Sequence, residues 1–251
     1  MNDMTDAFIL KESDYRENDV LMTVLSKDYG KISFVVPGAK KPKSHNAVHI
    51  QPYSEVQLIF DYHEGKTLFR LRSAHTLSLF RRMRNDLLLS SCAGVVAEVM
   101  DALTMEKQEN KEEEYALLKA AFTALDEGHD ACTVLALYLG DMLRLFGSAP
   151  DVDECTACGG KAVSALSVKH GGFLCKRHAL EYGIALKDKE ELLRFRVLAR
   201  SGMKRLSDVE EQYRAQFEDV KTLVLFVNRY TGINLRSFGF LETIWDLNRD
   251  R

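Results

Sequence analysis

Short apolar runs alternate with turn-forming residues over the first 75 or so residues, which is the pattern of β-strands joined by tight turns. We predict strands at residues 5–11, 19–26, 31–36, 54–62 and 66–73. In the fourth strand Val56, Leu58 and Phe60 recur at every second position, so that one of its faces should be buried. Five short strands favour a small barrel, and an oligonucleotide-binding (OB) barrel has this number of strands.

The spacing of apolar residues changes at about residue 77 to the 3.6-residue period of amphipathic helices. A first helix is indicated by Leu87, Leu88, Val95, Val96, Val99, Met100 and Leu103. Further helical patterns occupy residues 112–125, 131–146, 187–200 and 217–230. The C-terminal two thirds of the chain should therefore be mainly helical.

Other residues predict where these helices begin and end. Residues 147–150, Gly-Ser-Ala-Pro, should end the helix that precedes them. Ser207 and Glu210 have the spacing of a capping box, which predicts a helix start. The charged run 106–114 is expected to form a solvated loop and the start of the next helix.

Three of the five cysteines lie in the segment ECTACGGKAVSALSVKHGGFLCKRH, residues 154–178. They form a Cys-x-x-Cys pair and, sixteen residues later, a Cys-x-x-His pair. This spacing is typical of zinc ribbons, and four protein ligands leave no open position for catalysis. We therefore expect one structural Zn²⁺ per chain, bound by Cys155, Cys158, Cys175 and His178. His170 remains an alternative fourth ligand.

The alternatives to a zinc site in this segment are a redox pair and an incidental cluster of cysteines. A redox Cys-x-x-Cys pair should open a helix, which Gly159 and Gly160 disfavour. Cys92 and Cys132 lie in apolar helical stretches and are expected to be buried core residues.

The net charge of −3 conceals an uneven distribution. Residues 1–84 carry 13 Lys and Arg against 10 Asp and Glu, a net of +3, which leaves −6 for the remainder. A loop between predicted strands contains Lys40, Lys41 and Lys43, and a second basic cluster contains Arg81, Arg82 and Arg84. Both clusters are candidate phosphate contacts for DNA. Four rings could stack on bases: Tyr29, Phe34, Tyr53 and Tyr62.

Several function classes are disfavoured by what the sequence lacks. It contains no Walker A loop, G-x-G-x-x-G, G-x-S-x-G or H-E-x-x-H motif, so we expect no enzymatic activity. The N-terminus has no signal-peptide pattern, and no window approaches the roughly 18 apolar residues of a membrane span. We expect a cytoplasmic protein.

These patterns together predict an α+β multidomain protein. An N-terminal OB-fold barrel should occupy residues 1–80, and an α-helical domain residues 81–150 and 180–251. A zinc-binding module, residues 151–179, is expected to be inserted into the helical domain.

Blocks along the whole chain resemble the RecO family of bacterial recombination mediators. The first are AFILKESDYRENDVLMTVLSKDYGKISFVVPGAKKPKS and IQPYSEVQLIF. The middle ones are CTACGG and HGGFLC, and the last is RYTGINLRSFGFLE. By position, Lys40, Lys41 and Lys43 match the family's basic loop, and Cys155, Cys158 and Cys175 match its zinc cysteines. At His178 many relatives have cysteine.

The resemblance implies a non-enzymatic DNA-binding protein with an OB barrel and a helical region that often carries zinc. It implies binding to single- and double-stranded DNA and annealing of complementary strands. It also implies that the protein works with RecR to load recombinase onto DNA that is coated by single-strand-binding protein (SSB), and that it binds the acidic tail of SSB. The expected place of action is the nucleoid. The alternative is a zinc-stabilised protein-interaction scaffold with little DNA binding, which the acidic C-terminal region would suit.

Overall fold

The structure is a computed structural model that describes residues 3–105 and 110–249. Residues 106–109, the first part of the predicted charged loop, lie outside the described residues. The chain forms two compact units: the first contains Met1–Glu127 and Gly239–Arg251, and the second contains Gly128–Phe238. The predicted division into barrel, helical domain and zinc module stays a prediction.

Five strands form a closed barrel in the first unit. They are β1 (Asp3–Tyr15), β2 (Asp19–Ser26), β3 (Gly30–Val36), β4 (Glu55–Phe60) and β5 (Leu68–Ser78). Their order around the barrel is β1-β2-β3-β5-β4, and β4 pairs again with β1. Neighbouring strands are antiparallel except β3 and β5, which are parallel. The prediction of an OB-like five-stranded barrel followed by helices is confirmed.

The barrel interior is built from the residues that alternate along each strand. Val56, Leu58 and Phe60 are fully buried, as their period of two predicts. Across the interior the rings of Phe34 and Phe60 meet edge to face, with centroids 5.0 Å apart. Burial of each such large apolar side chain stabilises the fold by about 1.5–3 kcal/mol.

Three helices follow the barrel in the first unit: α1 (Arg81–Asn85), α2 (Leu87–Leu103) and α3 (Lys111–Glu127). Asp86 begins α2, and its carboxylate accepts a hydrogen bond from the Leu89 amide. Phe8 of β1 points out of the barrel and packs on the rings of Tyr115 and Phe122 of α3. The helices therefore cover one outer face of the barrel.

The second unit is mainly helical, and its central helix is α4 (Ala131–Leu145), which is buried along nearly its whole length. Two short strands follow, β6 (Ala165–Ser167) and β7 (Gly172–Leu174). The remaining helices are α5 (Lys176–Glu181), α6 (Lys189–Ser201), α7 (Leu206–Gln212), α8 (Phe217–Thr231) and α9 (Arg236–Arg249). Helix α9 begins in the second unit and continues into the first unit after residue 238. No helix in the described part of the chain is long and apolar enough to cross a membrane.

The capping box predicted at Ser207 and Glu210 is wrong. A 3-10 turn, Met203–Arg205, runs directly into α7, so that Ser207 lies inside the helix. The Glu210 carboxylate instead accepts from the His129 ring and the Asp130 amide, each at 2.6 Å. Capping boxes form at two other helix starts, those of α6 and α8.

Candidate functional site

The first cysteine pair lies in a tight turn held by its own backbone. The Cys158 amide donates to the Cys155 carbonyl at 3.1 Å, and the Gly159 amide donates to the same oxygen at 2.8 Å. Gly159 has φ 68°, a conformation that favours glycine. The turn brings both sulfur atoms to one side, as the two-residue spacing predicts.

The second pair lies where β7 leads into α5. Cys175 is the N-cap of α5 and His178 lies in its first turn. Residues three apart on a helix share a face, so both side chains point to the same point in space. The His178 Nδ1 atom is 3.4 Å from the Sγ atoms of both Cys155 and Cys175. The Sγ atoms of Cys158 and Cys175 are 4.0 Å apart.

These four donor atoms fit a single metal ion, since all lie within 4.8 Å of one another. A tetrahedral zinc site requires about 3.8 Å between sulfur atoms and about 3.6 Å between sulfur and nitrogen. The three separations given above agree with these values to within a few tenths of an ångström. The Cys3His cluster could therefore hold one metal ion.

The structure separates the two candidate histidines. His170 is outside the cluster: its Nδ1 atom lies 2.9 Å from the Ser167 hydroxyl, and its ring stacks on Tyr182 at 4.4 Å between centroids. His178 is buried beside Cys155 in the cluster. The geometry thus supports His178 as the fourth ligand.

The environment of Cys155 favours its thiolate form. Burial by itself raises the pKa of this thiol, but hydrogen bonds from the Cys175 amide, the His178 ring and the amides of Ala157 and Cys158 outweigh burial. The pKa of Cys155 falls to about 6 as a result. Because the thiolate is the form that binds metal, the site is suited to a cation at neutral pH.

A backbone contact couples the segment before the first pair to the strand before the second. Asp151 and Gly172 form a parallel β-bridge, in which the Phe173 amide donates to the Asp151 carbonyl at 2.8 Å. A Cβ atom on residue 172 would lie 2.0 Å from that carbonyl oxygen. Only glycine therefore allows the two ligand-bearing segments to approach this closely.

Substitution of Gly172 by alanine is expected to separate these segments and to lower the free energy of unfolding by about 3 kcal/mol. Urea denaturation of the purified variant measures the loss. The matched control is Gly183→Ala, because Gly183 also has positive φ but a Cβ atom there would meet no atom within 4 Å. Conformational strain alone should cost the control about 1 kcal/mol. Equal losses in both variants would contradict the role of the Asp151 contact.

The predicted basic loop follows β3 and is fixed to the barrel at its start. The Gly38 amide donates to the Asp19 carboxylate at 2.8 Å, and the Lys40 amide donates to the Asn18 carbonyl at 3.1 Å. The loop thus leaves the barrel in a defined direction, set by the β1–β2 turn.

The three lysines of this loop are exposed but not equivalent. The Lys40 ammonium pairs with the Asp14 carboxylate at 2.7 Å. Among the described residues, Lys41 and Lys43 have no carboxylate within ion-pairing distance. Two positive charges are therefore presented without compensation. Whether the loop binds DNA stays a prediction.

The arginines of the second basic cluster separate into two kinds. Arg84 is half-buried, burial lowers its pKa, and its guanidinium donates to the carbonyls of Leu79 and Pro52 and to the Ser54 hydroxyl. Arg81 and Arg82 are exposed, and Arg82 donates to the Glu127 carbonyl. Arg84 therefore joins α1 to the barrel, a role that the sequence did not predict, and its assignment to DNA binding remains a prediction.

The four candidate stacking rings also differ in their surroundings. Phe34 is fully buried in the barrel, and Tyr53 packs edge to face on Phe122. Tyr29 and Tyr62 stack on each other with centroids 4.5 Å apart, and Tyr62 is 37% exposed. Of the four rings, Tyr62 is exposed, Tyr29 and Tyr53 are half-buried, and Phe34 is buried.

A groove on the barrel was missed by sequence reasoning. Its volume is about 650 Å³, and its lining residues are Pro37, Asn46, Asp61, Arg70, Leu71 and Arg72. The signal was present in the sequence Phe-Arg-Leu-Arg at 69–72, because alternation in a strand places both arginines on one face. The groove adjoins the start of the basic loop at Pro37.

Two family models match this chain. The model described as Recombination protein O N terminal matches residues 1–80, and Recombination protein O C terminal matches residues 84–237. The chain is 29% identical over 253 residues to the DNA repair protein RecO of Exiguobacterium sibiricum, covering 100% of both chains. It is 28% identical over 242 residues to the DNA repair protein RecO of Bacillus mycoides, covering 95% of this chain and 96% of the relative.

Proposed function

The chain belongs to the RecO family, whose role is in DNA repair and recombination, and we propose that it acts there as a non-enzymatic DNA-binding mediator. In this role it binds single- and double-stranded DNA and anneals complementary strands. With RecR it helps to load recombinase onto DNA that is coated by SSB. Its place of action is the bacterial nucleoid.

The observation that carries this proposal is the match of both family models, in order, along almost the whole chain. The exposed lysines Lys41 and Lys43 and the exposed arginines Arg81 and Arg82 supply the chemistry that DNA binding needs. Cationic side chains that neutralise phosphates release counterions and bind without reading sequence. They also reduce the repulsion between two strands, so that base pairing can supply the free energy of annealing.

The metal is proposed to be Zn²⁺ with a structural role, held by Cys155, Cys158, Cys175 and His178. Three thiolates and one imidazole are a donor set typical of closed zinc sites. When bound, the ion would crosslink the turn that contains Cys155 and Cys158 to the junction of β7 and α5, which contains Cys175 and His178. Lewis-acid catalysis has no part in the proposal, since four protein ligands fill a tetrahedral shell.

The proposed protein partners are RecR and the C-terminal tail of SSB. A tail that ends in a carboxylate and carries acidic groups requires an apolar hole beside an arginine or lysine. The second unit is rich in exposed arginines that could supply such a contact, among them Arg200 and Arg205.

Annealing of SSB-coated complementary strands tests the proposal. We expect the purified chain to accelerate annealing of two such oligonucleotides well above the rate with SSB alone, without any nucleotide cofactor. The measurement is fluorescence quenching between end labels on the two strands. Failure to accelerate annealing, together with no gel shift of short single-stranded DNA at moderate salt, would favour the interaction scaffold instead.

A further inference from the structure

The four side chains of the Cys3His cluster differ in their access to solvent. In the first segment Cys155 is only 1% exposed, whereas Cys158 is exposed. In the second segment His178 is buried, whereas Cys175 is half-buried. One cysteine from each segment can therefore be reached by a small molecule from solution.

The two accessible sulfur atoms are also neighbours. The Sγ atoms of Cys158 and Cys175 are 4.0 Å apart. A disulfide bond requires about 2.0 Å, so its formation needs a movement of about 2 Å, which rotation of an exposed side chain can supply. The Cys155 sulfur is instead held by hydrogen bonds from the amides of Ala157, Cys158 and Cys175. The geometry thus favours a bond between the segments over one within the Cys-x-x-Cys turn.

Gly160 leaves one side of the Cys158 sulfur uncovered. A Cβ atom on residue 160 would lie 3.4 Å from this sulfur, which is van der Waals contact. Gly159 needs its positive φ of 68°, but Gly160 has no such requirement, so its backbone conformation suits alanine. A methyl group at residue 160 would therefore shield the sulfur without straining the turn.

We propose that Cys158 and Cys175 form an oxidation site, at which hydrogen peroxide converts the two thiolates into a disulfide bond. The Cys158 thiolate attacks a peroxide oxygen, so that an S–O bond forms, the O–O bond breaks and hydroxide leaves. The Cys175 thiolate then attacks the Cys158 sulfur of this sulfenic acid, so that the S–S bond forms, the S–O bond breaks and a second hydroxide leaves. Two electrons pass from the sulfur atoms to the peroxide, and two protons from solvent convert the hydroxides to water.

This disulfide would join the same two segments that a bound metal joins. It removes two of the four ligands, and Cys155 and His178 alone are an incomplete set for a tetrahedral site. The metal should therefore be released while the segments stay crosslinked. Rapid capture by Cys175 also protects Cys158 from irreversible oxidation to the sulfinic acid. The inference goes beyond the proposed DNA binding and rests only on the proposed metal site.

The test follows metal release and disulfide formation in the purified full chain during titration with hydrogen peroxide. A chromogenic chelator measures released zinc, and alkylation followed by peptide mass spectrometry maps the cysteines. We expect release of about one zinc ion per chain in step with a crosslinked Cys158–Cys175 peptide, and recovery of metal binding after reduction by dithiothreitol. A disulfide between Cys155 and Cys158, sulfinic acid without a disulfide, or thiols that resist a peroxide dose that oxidises glutathione would each overturn the proposal.

Two glycine variants show whether Cys158 is the sulfur that is attacked. Gly160→Ala should release zinc roughly threefold more slowly, because susceptibility to oxidation follows exposure of the thiolate. Gly239→Ala adds a methyl group that meets no atom within 4 Å and should react at the wild-type rate. Equal rates in both variants would overturn the assignment to Cys158. A chain purified without zinc would contradict the proposed metal site, and the mapped disulfide would then decide this inference by itself.

Discussion

Replacement of Cys155 and Cys158 together by serine is expected to abolish metal binding and to unfold the surrounding part of the second unit. The ligands come from two segments that are otherwise joined mainly by backbone contacts, such as that of Thr156 with Phe173. Structural zinc sites in small peptides contribute about 10–16 kcal/mol of apparent binding free energy, which becomes folding free energy. Its loss exceeds what these few contacts can replace.

Metal analysis and urea denaturation together measure this effect. The wild type should contain about one zinc ion per chain, and the double variant none. The matched control is Cys132→Ala, because Cys132 is a buried cysteine of the same unit but lies outside the cluster. It should keep its metal and lose only about 1–2 kcal/mol of stability through reduced packing. A double variant that unfolds like the wild type would contradict the structural role of the site.

The fold was largely predictable because its elements have strong periodicity. The alternation around Val56, Leu58 and Phe60 indicates a strand with one buried face, and the same local rule holds for β3. In β1 and β2 the residues 7–10 and 22–26 are buried on both faces. The helix break at Gly147 was equally local, since Gly147 has φ 66° just after α4 ends. Cys92 and Cys132 are buried in helices, as their apolar surroundings predicted.

What the sequence did not reveal depended on contacts between residues far apart in the chain. Glu210 has the spacing of a capping box with Ser207, yet it bonds to His129, 81 residues earlier. Arg84 belongs to a basic run, yet its guanidinium reaches Pro52 and Ser54 across the barrel edge. Spacing rules describe only neighbours along the chain, so such partners are invisible to them.

The Cys3His cluster was predictable from sequence for the opposite reason. Each ligand pair is local, and the two-residue spacings fix how each pair points. The choice between His170 and His178 needed the structure, because it depends on how β7 turns into α5. The groove at Arg70 also needed the structure, since Asn46 joins it from a loop 24 residues earlier in the chain.

Replacement of Lys40, Lys41 and Lys43 together by alanine is expected to weaken binding to single-stranded DNA by roughly tenfold or more at moderate salt. Three phosphate contacts would reduce the salt slope by about 2.1, and two contacts by about 1.4. The structure favours the smaller value, because the Asp14 carboxylate already partners Lys40. The Lys41→Ala, Lys43→Ala double variant should therefore reproduce most of the loss, and Lys40→Ala alone little of it.

A charge-matched control separates a local contact from a change in net charge. Lys169, Lys189 and Lys204 are exposed lysines of the second unit, and their replacement by alanine removes the same three charges. Long-range attraction is screened beyond about 8–10 Å at physiological salt, so this control should keep the wild-type slope. Equal losses in the two triple variants would mean that net charge, and not the basic loop, governs DNA binding. A loss confined to the basic loop would instead place the phosphate contacts at the end of β3, beside the groove that contains Arg70.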